Sequence, residues 1–410
     1  MKILITSFYP LPYPGGIWSF VSKLKQRLES MGHIITILSL NQDTLNYRIL
    51  GRPEELTEKH VSGGLHEKVK KAYPGYQTGS YIFQTEVSRG FLESAALHYG
   101  LAGYDIIYAQ DAMSAGVIGK IKPPGVPLVM SAHGYLSGEI FYNLKSLRPG
   151  AADLELRQSD VYNYFHKLER LGYNSSDLIH SQSEWMKGLI INGCQVPADK
   201  VLLFPYGMET DSFLREIQGS GKLNKKGKKI ILFTGRLVTL KGLHTLLPAL
   251  GKLYKERQDW ECWILGEGGI RAELEQACRN FGIAGSVLFF GTVENVLPYL
   301  NSADIFVLPG LQDTQPHSVM EAQLAGLPAI VSDAAGLPEM VHNQVNGMIF
   351  PAGNSEALLM QLRSLIQNDG KRAVMGQNAL QWARTRWSYD ALVTNILSMF
   401  NRAIAMKKTQ

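Results

Sequence analysis

Ile230-Ile231-Leu232-Phe233-Thr234-Gly235-Arg236-Leu237-Val238-Thr239-Leu240-Lys241-Gly242 carries a β-branched apolar run into a glycine turn flanked by two cations. The run predicts a strand. Beyond it Leu243, Leu246, Leu247, Leu250, Leu253 and Tyr254 recur at helical spacing on one face. Pro248 inside that helix costs a hydrogen bond unless it falls in the opening turns. Parallel sheets place ligands at the carboxyl ends of their strands, where glycine lets the backbone approach and helix N-termini offer unpaired amides to anions. Arg236 can fork onto phosphate oxygens and Lys241 supplies a point charge, so the segment is a candidate diphosphate cradle. Standing alone, it also reads as a surface loop with solvated cations.

Working outward, short apolar runs alternate with helical-period segments through most of the chain, which predicts an α/β protein with parallel sheets and crossover helices. In the first half the expected strands are Lys2 to Thr6, Ile34 to Ser39, Asp105 to Ala109, Leu128 to Ala132, Leu178 to Ser181 and Val201 to Phe204, with a helix from Ile17 to Met31. The second half restarts the pattern at Ile230 to Thr234 and continues with Glu261 to Leu265, Val287 to Phe290, Ile305 to Leu308 and Ala329 to Ser332. Helices Ser355 to Gln367 and Ser388 to Ala405 close it. Arg52 to Gly79 reads as loop or hairpin. The basic stretch Lys222 to Lys229 reads as an exposed linker. With 410 residues the chain has room for two domains, expected over 1–210 and 211–387, the helix 388–410 joining the first.

Composition is that of an ordinary globular protein, with 45% hydrophobic and 19% charged residues. The N-terminus reads as a first strand, because Tyr9-Pro10 and Pro12 interrupt it without a small-residue cleavage site. No apolar run approaches the ~18 residues a spanning helix needs. Three scattered cysteines, Cys194, Cys262 and Cys278, form no metal-ligand pattern and fit free thiols in a reducing cytosol. A formal charge of +5 suits phosphate-bearing ligands and is far from the footprint of a nucleic-acid binder.

Two further elements could carry chemistry. Gly266-Glu267-Gly268 follows a strand and offers another close backbone approach, a weak signal alone. Asp313-Thr314-Gln315-Pro316-His317-Ser318-Val319-Met320-Glu321 follows the strand ending near Pro309. Pro316 suits the first helical position, which puts Asp313 in the loop, leaves the amides of His317 and Ser318 unpaired, and sets Glu321 one turn beyond His317. Two acids so placed could hold hydroxyls; read alone, they are equally a helix cap and a solvated Glu.

Taken together these spacings resemble the family-4 retaining glycosyltransferases of the GT-B fold, over nearly the whole chain. The resemblance implies two Rossmann-like domains facing across a deep cleft, the first binding the acceptor and the second the nucleotide-sugar donor. Asp313, Pro316 and Glu321 fall on the first acid, the Gly/Pro position and the second acid of the family's Glu-x7-Glu element. Gly235-Arg236-Leu237 and Lys241-Gly242 match its Gly-Arg-Leu and Lys-Gly elements, and Gly266-Glu267-Gly268 its Gly-x-Gly turn. Tyr206 to Phe213 looks like its hinge passage. Pro14-Gly15-Gly16 matches its glycine loop, and His133-Gly134 its histidine near the transferred sugar. By resemblance, then, His133, Arg236, Lys241 and Asp313 are the expected catalytic residues. Gly15, Gly16, Gly235, Gly266, Glu267, Gly268, Pro316, His317, Ser318, Val319 and Glu321 are the expected donor-binding ones. The departures are Asp313, one methylene shorter than the usual Glu, Thr314-Gln315 in place of Gly-Phe, and Gln110-Asp111 where many relatives carry a His.

The implied reaction moves a hexosyl unit, with retention, from a nucleotide-diphosphate sugar to a saccharide or lipid-linked acceptor in polysaccharide or glycolipid synthesis. An oxocarbenium-like transition state leaves negative charge on the diphosphate, which Arg236 and Lys241 can hold. No Asp-x-Asp triplet occurs, so no metal or other cofactor is expected, and no protein nucleophile is nominated. The expected location is cytoplasmic. Peripheral contact with an anionic membrane through Lys23, Lys25, Arg27 or the Lys-rich linker stays open beside the reading of a solvated face. The competing readings are a GT-B epimerase or hydrolase, and a catalytically weakened nucleotide-sugar-binding homologue.

Overall fold

The computed structural model describes residues 1–13, 15–41, 46–52, 55–57 and 64–408. They form two compact units, Met1–Phe204 with Val393–Gln410, and Pro205–Leu392.

The first unit holds β1 (Lys2–Pro10), β2 (Ile34–Leu40), β3 (Asn46–Ile49), β4 (Glu55–Thr57), β5 (Ile106–Ala109), β6 (Leu128–Ser131), β7 (Leu178–Ser181) and β8 (Val201–Leu203). They assemble in the order β4-β3-β2-β1-β5-β6-β7-β8. Pairs from β2 through β1 to β8 are parallel, while β3 pairs antiparallel with both β2 and β4. β5, β6 and β7 are buried along their whole length, which is why β5 and most of β6 read as continuous apolar runs rather than alternating ones, while β7 also buries His180 and Ser181.

The second unit holds β9 (Lys229–Thr234), β10 (Trp260–Leu265), β11 (Val287–Gly291), β12 (Ile305–Leu308), β13 (Ala329–Ser332) and β14 (Gly347–Phe350). All are parallel, in the order β11-β10-β9-β12-β13-β14. The helix Leu243–Glu256 follows β9 and buries Leu243, Leu246, Leu247, Leu250 and Leu253. Burying each such side chain stabilises by about 1.5–3 kcal/mol. Pro248 lies in its second turn, where it removes the hydrogen bond that a backbone N–H there would give to His244.

Three expectations need correction. The stretch 52–79 contains β4, which pairs antiparallel with β3 as a hairpin would, and also the helix Leu65–Ala72, whose single buried residue, Val69, is too thin a stripe to show as periodicity; residues 53–54 and 58–63 lie outside those described. The basic stretch is a loop inside the second unit from Lys222 to Lys228, and Lys229 opens β9. Lys225 pairs with Asp304 at 2.6 Å, Lys228 with Glu261 at 3.3 Å and Lys229 with Asp369 at 3.1 Å, all in that unit. The division falls at Phe204/Pro205, not 210/211, because Tyr206 N–H donates to Gln315 Oε1 at 2.6 Å and Met208 N–H to the Trp387 carbonyl at 2.9 Å. At the other end it falls at Leu392/Val393, inside the helix Tyr389–Lys408.

Candidate active site

In the second unit the chain runs outward from β9 to one side and from β12 to the other, so the neighbouring ends of β9 and β12 form a topological switch point, where open α/β sheets bind ligands. The loop after β9 carries Gly235, Arg236 and Lys241; the loop after β12 carries Asp313 and leads to Pro316. The two are laced together. Leu311 N–H donates to the Leu240 carbonyl at 2.7 Å, and Lys241 Nζ donates to Asp313 Oδ1 at 2.6 Å, each side chain only 13% exposed. The second oxygen, Oδ2, is buried and has no hydrogen-bond partner. A buried carboxylate oxygen left so is costly, and a ligand hydroxyl is the kind of donor that would satisfy it. Arg236 is exposed on its turn.

Gly266 and Gly268 sit where two loops meet. A Cβ on Gly266 (φ +132) would stand 2.0 Å from the Gly235 carbonyl oxygen, and one on Gly268 would stand 2.2 Å from that of Leu237. They let the loop after β10 pack backbone to backbone on the loop after β9. Leu237 N–H donates to the Glu267 carbonyl at 2.8 Å and Gly235 N–H to the Leu265 carbonyl at 3.0 Å. The Glu267 side chain turns outward and pairs with Arg271.

Pro316 stands one place before the helix, as its N-cap with ψ 130, and the helix proper is His317–Leu324. Its carbonyl accepts from Val319 N–H at 3.2 Å, and the amide of Ser318, in the first turn, has no intrahelical acceptor. The His317 ring stacks on Tyr206, centroids 5.3 Å apart at 17°. Val319 is fully buried and Glu321 half-buried one turn on. Gln315, which the sequence presents only as a departure from a pattern, is buried and holds the Tyr206 amide.

The remaining expected residues belong to the first unit. Gly15, at φ +153, precedes the helix Gly16–Ser30, and a Cβ there would meet nothing within 4 Å; Pro14 lies outside the described residues. His133 follows β6. Its Nε2 is 2.9 Å from Gln110 Oε1, and its ring meets Phe20 edge-on at 4.9 Å. Gln110 is fully buried, so this amide carbonyl commits Nε2 as the donor. Asp111 caps the helix Ala112–Ile121 through the Ser114 amide at 2.7 Å and also accepts from Phe8 N–H at 2.9 Å. Burial raises its carboxyl, and those hydrogen bonds oppose the shift.

Glu169 was not visible as a functional residue. Fully buried, it accepts from the amides of Leu136 at 2.8 Å and Ser137 at 3.1 Å, from the Ser137 hydroxyl, and from the Tyr173 hydroxyl at 3.3 Å. It thereby caps the helix Leu136–Leu147, which starts three residues after His133 and lacks a cap from its own side chains. Among the described residues no three His, Cys, Asp or Glu side chains cluster as metal ligands, and no helix is long and apolar enough to cross a membrane.

Two doubly wound sheets, one in each unit, are the architecture of the GT-B class. The model of the glycosyl transferases group 1 matches residues 215–382, and that of glycosyltransferase family 4 matches residues 14–212. An uncharacterized glycosyltransferase of Methanocaldococcus jannaschii is 25% identical over 99% of both chains. The amylovoran biosynthesis glycosyltransferase AmsK of Erwinia amylovora is 31% identical over 45% of this chain and 46% of its own. The crystal structure of Anabaena HepE in complex with UDP shares the fold, with a TM-score of 0.69 at 17% identity over 98% of this chain and 100% of that one. The chain belongs to the family-4 glycosyltransferases of the GT-B fold.

Proposed function

We propose that this chain is a retaining hexosyltransferase that uses a nucleoside-diphosphate sugar, needs no metal, and acts on a saccharide or lipid-linked acceptor in polysaccharide or glycolipid synthesis. The observation that carries the reading is Asp313 at the switch point, one oxygen held by Lys241 and the other buried without a partner. An acceptor-only group so oriented suits a sugar hydroxyl. Lys241 orients Asp313 and supplies positive charge beside it, and Arg236 is placed to draw on the diphosphate as its bond to the sugar breaks. The amides opening the helix His317–Leu324 add donors for an anion, and Glu321 offers a carboxylate to the ribose hydroxyls. His133, fixed through Gln110 and the Glu169-capped helix, is a positioned polar group for the transferred sugar. At Gly15 even a Cβ would meet nothing within 4 Å, which leaves room for a phosphate to approach the backbone. The match with HepE, whose structure holds UDP, supports the nucleotide.

The test is a thermal-shift panel of uridine, guanosine and adenosine diphosphate sugars, followed by turnover in excess chelator and NMR of the product's anomeric configuration. One donor should raise the melting temperature, turnover should survive EDTA, and the configuration should be retained. Activity lost in chelator and restored by manganese would remove the metal-free reading, and an inverted product the retaining one.

A further inference from the structure

In the first unit the helix Tyr81–Tyr99 leads into β5 and the helix Ala112–Ile121 leaves it, and the two pack side by side. The short helix Leu65–Ala72 seats on the former at Gly90, where a Cβ would stand 2.5 Å from Leu65 Cδ1. Between the three helices lies a recess of about 350 Å³, a volume within the range of small-ligand pockets. Lys120, at its edge, stands roughly 12 Å along its helix from the carboxyl end of β5, so the recess belongs to the outer helical layer and not to the strand ends. One wall is apolar, with Leu65, Val69 and Val117; Val69 belongs to a buried cluster with Phe83 and Val87, against which Leu65 packs. The other side holds Arg89. Its side chain is only 16% exposed, and its hydrogen-bond partner among the described residues is Glu86 alone, so it uses one of the five N–H groups a guanidinium offers. Nε is buried without an acceptor. The Glu86 oxygen that Arg89 reaches also accepts from the Tyr164 hydroxyl. Lys68 is exposed and has no partner among the described residues, while Lys120 pairs with Glu93 at 3.1 Å.

We propose that this recess binds a small amphiphilic oxyanion, a phosphate monoester or carboxylate whose head meets Arg89 and Lys68 and whose hydrocarbon body lies against Leu65, Val69 and Val117. The site goes beyond the transferase reading and does not depend on it. A guanidinium that is mostly buried with four of its N–H groups unused is costly, and an oxyanion is the acceptor that its planar fork matches. Glu86 is not positioned to take more, because both lone pairs of the oxygen facing Arg89 are engaged. Around the recess Lys68, Arg89 and Lys120 outnumber Glu86 and Glu93 by one charge, and the Lys120–Glu93 pair cancels, so the excess falls on Lys68 and Arg89. A neutral ligand would leave that excess uncompensated, and a cation would add to it. A purely polar anion would answer the charge but leave the apolar wall in water, whereas an oxyanion with a hydrocarbon body serves both sides.

The experiment uses the full chain as wild type, Arg89→Lys and Lys68→Gln, titrated calorimetrically with octyl phosphate, octanoate and inorganic phosphate below the micellar range. At least one of the two amphiphiles should bind the wild type and shift the arginine Nε–H signal that Arg89→Lys removes from the nitrogen-15 spectrum. Arg89→Lys, which keeps the charge beside Glu86 and loses the fork, should weaken binding about tenfold or more. Lys68→Gln, an exposed change that spares the fold, should weaken it about two- to fivefold. Inorganic phosphate, without the hydrocarbon body, should bind at least about tenfold more weakly than octyl phosphate. The proposal is overturned if neither amphiphile binds the wild type, if inorganic phosphate binds as tightly as octyl phosphate, or if both variants bind like the wild type. Sedimentation with phosphatidylcholine vesicles that contain phosphatidic acid, absent with phosphatidylcholine alone and lost in Arg89→Lys, would support the site with a lipid headgroup as its source. Binding of the free amphiphiles without such sedimentation would support it with a soluble one.

Discussion

Gly242 turns the chain at φ +73, and a Cβ there would stand 1.8 Å from the Pro309 carbonyl oxygen, so alanine meets both a left-handed backbone and a wall. Gly353 has nearly the same φ, +76, with nothing within 4 Å. The pair separates the two costs. Gly353→Ala should lose only the left-handed penalty of about 1 kcal/mol, lowering the second unit's melting temperature by roughly 2–4 °C. Gly242→Ala must also push the loop after β12 away from the loop after β9, and with it Asp313 from Lys241. A loss of roughly 3 kcal/mol or more is expected, with activity falling further than stability accounts for. Equal melting temperatures for the two variants would refute the packing argument. Gly235, Gly242, Gly266 and Gly268 are legible from their place after strands; the packing of Gly266 and Gly268 on the carbonyls of the loop after β9 is not, because that contact joins residues distant in the chain.

Most strands and helices with a thick apolar signature are legible within a residue or two, but β1 runs past its expected end at Thr6 to Pro10, and the last helix past Ala405 to Lys408. β12 and β13 lie where their runs of four apolar or small residues predict, β7 has its expected bounds although it carries His180, and so does the helix Ser355–Gln367. What escaped was thin or distant. β3 has four residues and pairs antiparallel between β2 and the edge strand β4, and the cap on the helix Leu136–Leu147 comes from Glu169, with no local signal to announce it. That cap makes a prediction about pH. Burial raises the Glu169 carboxyl above its ordinary value of 4.5, against the pull of its four donors. A group whose pKa is raised on folding contributes stability in full below its unfolded value and loses it as the pH rises through its folded one. Glu169→Gln removes the titration and sets an amide N–H against the donors of Leu136 or Ser137, costing about 1–3 kcal/mol. Its deficit against the wild type, measured by urea unfolding, should be greatest at acid pH and shrink as the pH rises above 4.5. Asp111, raised likewise, is present in both and cancels. A deficit that grew with pH would mean that the four donors win and the carboxyl is depressed instead.

At the scale of the molecule each unit owns a sheet and a core, and the first recovers the chain's end. Phe400 is fully buried and meets Tyr108 of β5 edge-on at 5.2 Å; Lys407 pairs with Asp177 at 2.8 Å; Arg402 donates to the Asp199 carbonyl at 2.9 Å. The division itself was not legible from composition, because the conspicuous basic stretch is a loop whose lysines find acids in their own unit, while the true crossing at Phe204/Pro205 has no composition signal. Two cores allow two unfolding transitions in scanning calorimetry, and substitutions can assign them. Phe400→Ala should lower the first unit's transition by about 3–5 kcal/mol and leave the other unmoved, while Gly242→Ala does the reverse. A free nucleoside diphosphate at a hundred times its dissociation constant stabilises the state that binds it by about 2.7 kcal/mol. If Arg236, Lys241 and the opening amides of the helix His317–Leu324 hold the diphosphate, that gain belongs to the transition lowered by Gly242→Ala. A nucleotide that instead raised only the transition lowered by Phe400→Ala would move the donor site to the first unit and undo the role given to the switch point between β9 and β12.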